Sequence, residues 1–250
     1  MVNLKSQGEI EVMKEGGIRL RNVVKDLIPT IEVGISTEEI DKKAESLIIE
    51  YGGESSFKKV PGYQWSTCLP INEQVVHTPP SKRIIKDGDV LTVDIGMYYK
   101  GYHTDYADTI IVGKTREDKI KRFLEVGKTA LYKAIDQARV GNRLGHISKV
   151  IENEIYGNGY KILKNLTGHG IGRELHEDPY IFGFLDRPIE KTITIQSGLV
   201  IAIEIIYALS SEEFVHQRGD DWSVVTADKS ISACFEHTVA ITDKITMVLT

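Results

Sequence analysis

Four stretches of this chain read as buried β-strands, and each has an acidic residue at its centre. They are DVLTVDIGMYY (89–99), YHTDYADTIIVG (102–113), LVIAIEIIYAL (199–209) and SISACFEHTVAIT (230–242), which enclose Asp94, Asp105, Glu204 and Glu236. A carboxylate taken out of water is costly unless it is paired or bound to a metal. None of these strand cores contains a lysine or arginine. Two like-charged pairs converging without a cation would each resist ionisation. A fold for this chain therefore has to bring cations to one sheet face or leave that face wet.

Side chains alternate along a strand, so Val90, Thr92 and Asp94 share one face while Leu91, Val93 and Ile95 share the other. In the next strand Asp105 shares a face with His103 and Ala107. Asp108 points the opposite way and reads as a hydrogen-bonded or solvated polar residue. Lys100–Gly101 is a hairpin turn. Asp94 and Asp105 are nearly symmetric about it, which predicts cross-strand neighbours on one face. Glu204 stands with Val200, Ala202 and Ile206, and Leu199, Ile201, Ile203 and Ile205 lie behind it.

Nitrogen donors come from two other stretches. TGHGIGRELHEDP (167–179) holds His169 and His176, with Gly168, Gly170 and Gly172 allowing tight backbone geometry around the first. It lacks the GK[ST] ending of a phosphate loop. His77, in INEQVVHTPP, precedes two prolines that fix a loop; alone, such a histidine is usually structural. One histidine with four carboxylates is an oxygen-rich donor set, better suited to a pair of divalent ions than to one structural zinc. Two ions sharing carboxylates can activate a water and polarise a carbonyl.

Upstream of the strands, Ile10, Met13, Ile18, Leu20, Val23, Val24 and Leu27 recur near helical spacing from Glu9 to about Pro29. A second helix follows, capped by Ser36 or Thr37, with Ile40, Ala44, Leu47 and Ile48 on its apolar face and Gly52–Gly53 at its end. The order then repeats. Phe123 to Ala138 reads as a helix, and VGNRLGHISKVIENEIYGNGY (140–160) places Ile147, Ile151 and Ile155 where Ile40, Ala44 and Ile48 fall after Val33. Two helices followed by strands, twice over, predict an α+β chain built by duplication. The related halves span roughly 9–113 and 120–245 of a single catalytic domain, 1–250.

A chain of 250 residues can bury a sizeable core. Its net charge of −5 gives no general attraction to nucleic acid or anionic membrane. MVNLKSQGEIEVMKEGG lacks the apolar core of a secretory signal, and no run of 18 apolar residues occurs. Cys68 and Cys234 then read as two buried thiols of a cytoplasmic protein.

The segments VDIGMYYKGYHTDYADTIIVG, TGHGIGRELHEDP, LVIAIE and DKSISACFEHTVAIT resemble, in this order, the metal-site segments of the type I methionine aminopeptidases. Those enzymes belong to the pita-bread metallopeptidase superfamily, and the resemblance runs from roughly residue 8 to the C-terminus. It implies two pseudo-symmetric halves forming a curved antiparallel sheet with helices on the outer face. It implies two divalent metal ions (Co, Mn, Fe or Zn, between which sequence does not choose). Asp94 would chelate one ion with both oxygens, Asp105 and Glu236 would bridge the pair, and His169 and Glu204 would bind the other.

By the same resemblance, His77 lies beside the substrate's scissile region, and His176 stabilises the carbonyl oxygen as it becomes tetrahedral. Glu204 would also carry the proton from the attacking water to the leaving amine. Tyr63, Cys68 and Trp222 match positions of a pocket for the methionine side chain, with Phe57 on the same wall; an unbranched thioether suits an aromatic pocket. The implied activity is removal of the N-terminal methionine from peptides and newly made proteins, with a small second residue preferred. The implied form is a monomer with transient proximity to the ribosome and no nucleic-acid specificity. Three departures stand out. Ile205 replaces a usual proline, TPP follows His77 in place of GIP, and FKKVPGYQWSTC lacks some usual pocket residues. Two other readings share these segments: a proline-directed aminopeptidase, which typically carries a further N-terminal domain, and a binding protein on the same fold, which usually loses metal ligands.

Overall fold

A computed structural model describes residues 2–114 and 118–250. The first helix begins where a reciprocal cap forms. The Ser6 hydroxyl accepts from the Glu9 N–H, and the Glu9 carboxylate accepts from the Ser6 N–H. Helix α1 then runs Gln7–Leu27 and buries Met13, Leu20, Val23 and Leu27. Ile18 does not join that face and is 44% exposed. At about 100° per residue it points well away from the stripe of Met13, Leu20 and Val24. Helix α2 (Thr37–Glu50) starts with the same device, built from Ser36 and Glu39.

The remaining elements are β1 (Glu54–Ser55), β2 (Thr67–Cys68), β3 (Val90–Tyr99), β4 (Tyr102–Ile111), α3 (Asp118–Ile135), α4 (Leu144–Gly157), β5 (Lys161–Ile162), β6 (Thr167–Gly170) and β7 (Glu177–Phe182). They continue with β8 (Val200–Ala208), β9 (Phe214–His216), β10 (Val224–Thr226), β11 (Ser232–Ile241) and β12 (Thr246–Val248). Among the described residues ten strands form one antiparallel sheet with the main order β1–β3–β4–β11–β8–β6–β7. A separate hairpin, β9–β10, lies between β8 and β11 in the chain. No helix among the described residues is long and apolar enough to cross a membrane.

One face of the sheet is dry because helices cover it. Leu91, Val93, Ile95 and Met97 pack in one cluster with Leu20, Leu27, Ile40 and Ile48 of α1 and α2. Ile201, Ile203, Ile205 and Tyr207 pack in another with Phe123, Ala130, Ile147 and Ile151 of α3 and α4. Each fully buried aliphatic side chain contributes roughly 1.5–3 kcal/mol. Helix α3 comes especially near the sheet at Gly127, where a Cβ would fall 2.4 Å from the Tyr207 hydroxyl and 2.5 Å from the Phe235 ring. That hydroxyl donates to the Phe123 carbonyl. The opposite face of the same strands is free to carry polar groups.

The two strand pairs meet along a short seam, where Glu236 of β11 faces Ala107 of β4. On either side of that pair a threonine hydroxyl stands in for the direct ladder. Thr238 Oγ1 accepts from the Asp105 N–H at 2.8 Å and donates to the Asp105 carbonyl at 2.9 Å. Thr109 Oγ1 does the same for Cys234, at 3.0 Å and 2.7 Å.

Candidate metal centre

The acidic residues form a row across four neighbouring strands. Asp94 faces Ala107, Ala107 faces Glu236, and Glu236 faces Glu204. Directly opposed residues share a face, so the row lies on the side away from the helices. Asp105 is two residues from Ala107 and faces Gly96, which makes it a diagonal neighbour of Asp94. The expected cross-strand neighbours are thus diagonal rather than directly opposed. The hairpin closes at Tyr99–Tyr102, with Lys100 at φ 49° and Gly101 at φ 90°, so the centre of the pairing lies one residue further on. The two aspartates still converge on one face.

His169 enters from β6, opposite Ala202 and therefore diagonal to Glu204. Its glycine neighbours permit close backbone approach: a Cβ on Gly168 would lie 2.4 Å from the Ala202 carbonyl, and one on Gly170 would lie 2.2 Å from that of Asp178. His169 Nδ1–H donates to the Gly170 carbonyl at 2.9 Å, which leaves the Nε2 lone pair on the site side, 3.4 Å from Glu204 Oε1. One donor atom each from Asp105, His169 and Glu236 lies within 4.8 Å of the other two. Asp108 takes no part; it points to the helices and pairs with Lys128 at 3.0 Å.

The electrostatics ask for positive charge. Burial pushes Glu236 and Glu204 well above the usual carboxylate range, and the charge of Asp105 adds to it. Burial does the same to Asp94, followed by Asp105 and Glu204. Asp105 is pushed up to about 7 by burial, against the lowering effect of the Tyr106 N–H it accepts. Burial and then the charge of His176 bring His169 down to about 3, so its imidazole is neutral. Glu236 Oε1 is buried with no hydrogen-bond partner among the described residues. An uncompensated buried charge costs several kcal/mol, and a whole domain has only about 5–15 kcal/mol of net stability. Among the described residues no lysine or arginine lines the site to offset four such groups. An oxygen-rich donor set with one neutral imidazole and one orphaned carboxylate oxygen fits divalent metal ions.

A cavity of about 420 Å³ opens on this row. It is lined by all five candidate ligands and by His77 and His176, whose ring stands edge-on to His169 at 4.5 Å. His77 sits in the left-handed region at φ 56°, in a loop held where the Val75 N–H donates to the Val224 carbonyl and the Leu69 N–H to the Thr78 carbonyl. Phe57, Tyr63, Cys68 and Trp222 line the same cavity. Tyr63 is the hub. Its ring meets Trp222 at 5.1 Å and Phe57 at 6.3 Å, and its hydroxyl donates to the Thr67 carbonyl and lies 3.1 Å from Cys68 Sγ. Both cysteines are free and buried.

Of the sequence departures, Ile205 faces the helices and leaves the cavity wall unchanged. Thr78 is buried beside the His77 loop with its hydroxyl unpaired among the described residues. Cys234 and Ile206 also line the cavity. Each is two residues from a candidate ligand, so strand alternation alone signals them.

Residues 11–243 match metallopeptidase family M24. Methionine aminopeptidase 1 of Bacillus subtilis is 38% identical over 243 residues, covering 97% of this chain and 96% of its own. A crystal structure of methionine aminopeptidase from Thermotoga maritima superposes with a TM-score of 0.95 at 33% identity, covering 100% of this chain and 99% of that one. A prolidase from Pyrococcus furiosus shares the fold with a TM-score of 0.78 at 24% identity; it covers 99% of this chain, which spans 65% of the prolidase.

Proposed function

This chain belongs to metallopeptidase family M24, and we propose that it holds two divalent ions on Asp94, Asp105, His169, Glu204 and Glu236. It is a hydrolase of the pita-bread fold that removes the N-terminal methionine from peptides with the help of divalent metal. The observation that carries the ligand assignment is the buried, partnerless Oε1 of Glu236, in a cluster where donor atoms of Asp105, His169 and Glu236 lie within 4.8 Å of one another. Asp94 would help hold one ion, His169 and Glu204 the other, and Asp105 and Glu236 would serve both. Bound there, the ions would acidify a water and polarise the substrate's first peptide carbonyl.

The chain's own side chains supply the rest. Glu204, whose carboxylate lines the cavity 3.4 Å from His169 Nε2, accepts a proton from water and delivers it to the leaving amine. His176 donates a hydrogen bond to the carbonyl oxygen as negative charge builds there. Phe57, Tyr63, Cys68 and Trp222 receive the methionine side chain on a wall where the Phe57 and Trp222 rings stand edge-on to Tyr63. His77, followed by Thr78, Pro79 and Pro80, confines the second residue, so small side chains are preferred there. The substrates are the N-terminal segments of newly made proteins, met in the cytoplasm near the ribosome by a monomer. Residues 9–113 and 120–245 are related halves of one catalytic domain. Thr109 and Thr238, which make the same paired contacts across the seam, support that relation.

The proline-directed alternative is less favoured, since this chain spans only 65% of the Pyrococcus furiosus prolidase, at an identity that speaks for the fold alone. A non-catalytic binding protein is disfavoured by a complete donor set around one cavity. Metal analysis with activity tests the assignment. Chelation abolishes hydrolysis and a divalent ion restores it, while Asp105→Ala or Glu236→Ala loses both activity and the second equivalent of metal. Full activity in metal-free protein would refute it.

A further inference from the structure

Lys5 is a charged residue near the start of the chain, yet its side chain is 2% exposed. Its ammonium lies 2.5 Å from Glu177 Oε2, and the Glu177 side chain is itself only 9% exposed. The ammonium also donates to the Asn3 carbonyl at 3.0 Å, and the Lys5 N–H donates to the Gly198 carbonyl at 2.7 Å. The stem fits because residue 172 has no side chain; a Cβ there would fall 2.3 Å from Lys5 Cε. A lysine is almost never buried this deeply unless paired. Here the pair joins the N-terminal segment to the residue that follows His176.

Glu177 organises the loop that carries His176. Its Oε1 accepts from the Arg173 N–H at 2.8 Å and the Glu174 N–H at 3.2 Å. Pairing of β6 with β7 slips between His169 and Gly170, and Gly170 then faces Glu177, so the loop bulges from the sheet with His169 before it and His176 at its end. A second tie acts beside the first. Glu9 Oε1 accepts from Arg173 at 3.0 Å and from the Tyr102 hydroxyl at 2.7 Å. The His103 N–H closes the set by donating to the Gly172 carbonyl at 2.7 Å.

We propose that Lys5, acting through Glu177, is a positioning residue that holds the His176 loop in the geometry the reaction needs. The ammonium fixes one carboxylate oxygen, and the other oxygen then takes up two backbone N–H groups that would otherwise be free to turn the loop. A catalytic donor displaced by even about 1 Å loses much of its effect. The proposal rests on the role given to His176 above.

A double-mutant cycle tests it in the metal-loaded enzyme. Lys5→Met keeps the length of the stem and removes the charge. It is expected to lower kcat roughly 10-fold or more with little change in KM and with the metal content retained. In a His176→Ala background the same substitution is expected to have no further effect on kcat. Glu177→Gln keeps an oxygen for the two N–H donors while cancelling the charge, and serves the same cycle if Lys5→Met does not fold. Wild-type kcat in both variants, or an equal fall with and without His176, would overturn the proposal. If His176→Ala alone leaves kcat unchanged, it is the catalytic assignment of His176 that fails.

Discussion

At the scale of single residues, two histidines seven positions apart stand edge to face at 4.5 Å, and the roles proposed for them differ. His169 is locked by its bond to the Gly170 carbonyl so that Nε2 faces Glu204 and Glu236 Oε1 lies nearby without a partner. His169→Ala therefore lowers the metal content. His176→Ala keeps the metals and lowers kcat about 10²–10³-fold, because a transition-state hydrogen bond is lost. Metal stoichiometry measured alongside kcat separates the two. Loss of metal from both variants alike would mean that the roles are wrongly divided. The carboxylates and both histidines are visible in the sequence because each interrupts an apolar or glycine-rich stretch. Lys5 is not visible, since its partner lies 172 residues away and nothing local marks a lysine for burial.

At the scale of elements, the contact of α3 with the sheet depends on an absent side chain. In a free helix, Gly→Ala gains about 0.5–1 kcal/mol. At Gly127 the new methyl would lie 2.4 Å from the Tyr207 hydroxyl, which is already held by the Phe123 carbonyl. Overpacking of this kind costs about 1–3 kcal/mol and outweighs the helix gain. Gly127→Ala is thus expected to lower Tm by a few degrees. A rise in Tm in a thermal melt would show that the helix has room to move. The helices and long strands were legible, because their apolar periodicities persist over nine or more residues. The hairpin β9–β10 was not, since three-residue strands in a polar stretch leave no periodic trace. The diagonal setting of Asp94 and Asp105 follows from the two-residue turn at Lys100–Gly101, which pairs Tyr99 with Tyr102 and so Asp94 with Ala107.

At the scale of the whole molecule, the same sheet holds the fold together on one face and strains it with charge on the other. A buried carboxyl whose folded pKa is raised gives its full contribution below the unfolded value, about 3.9 for Asp. That contribution is lost as pH rises through the folded value, about 7 for Asp105. His103 and His237, brought down to about 4 mainly by burial, act in reverse, and their contribution fades as pH falls from about 6.5. Divalent ions relieve the carboxylates and leave those two histidines untouched. The Tm difference between metal-loaded and metal-free protein is therefore expected to widen as pH rises from about 5 to 8, with protons released on binding. A gap that narrows over that range would place the metals elsewhere. Removal of N-terminal methionine is tested by kcat/KM for Met-Ala-Ser against Ala-Pro-Ser at identical metal loading. A pocket built on Tyr63 and Trp222, with His77 crowding the second residue, predicts a clear preference for Met-Ala-Ser, and an equal or greater value for Ala-Pro-Ser would contradict it.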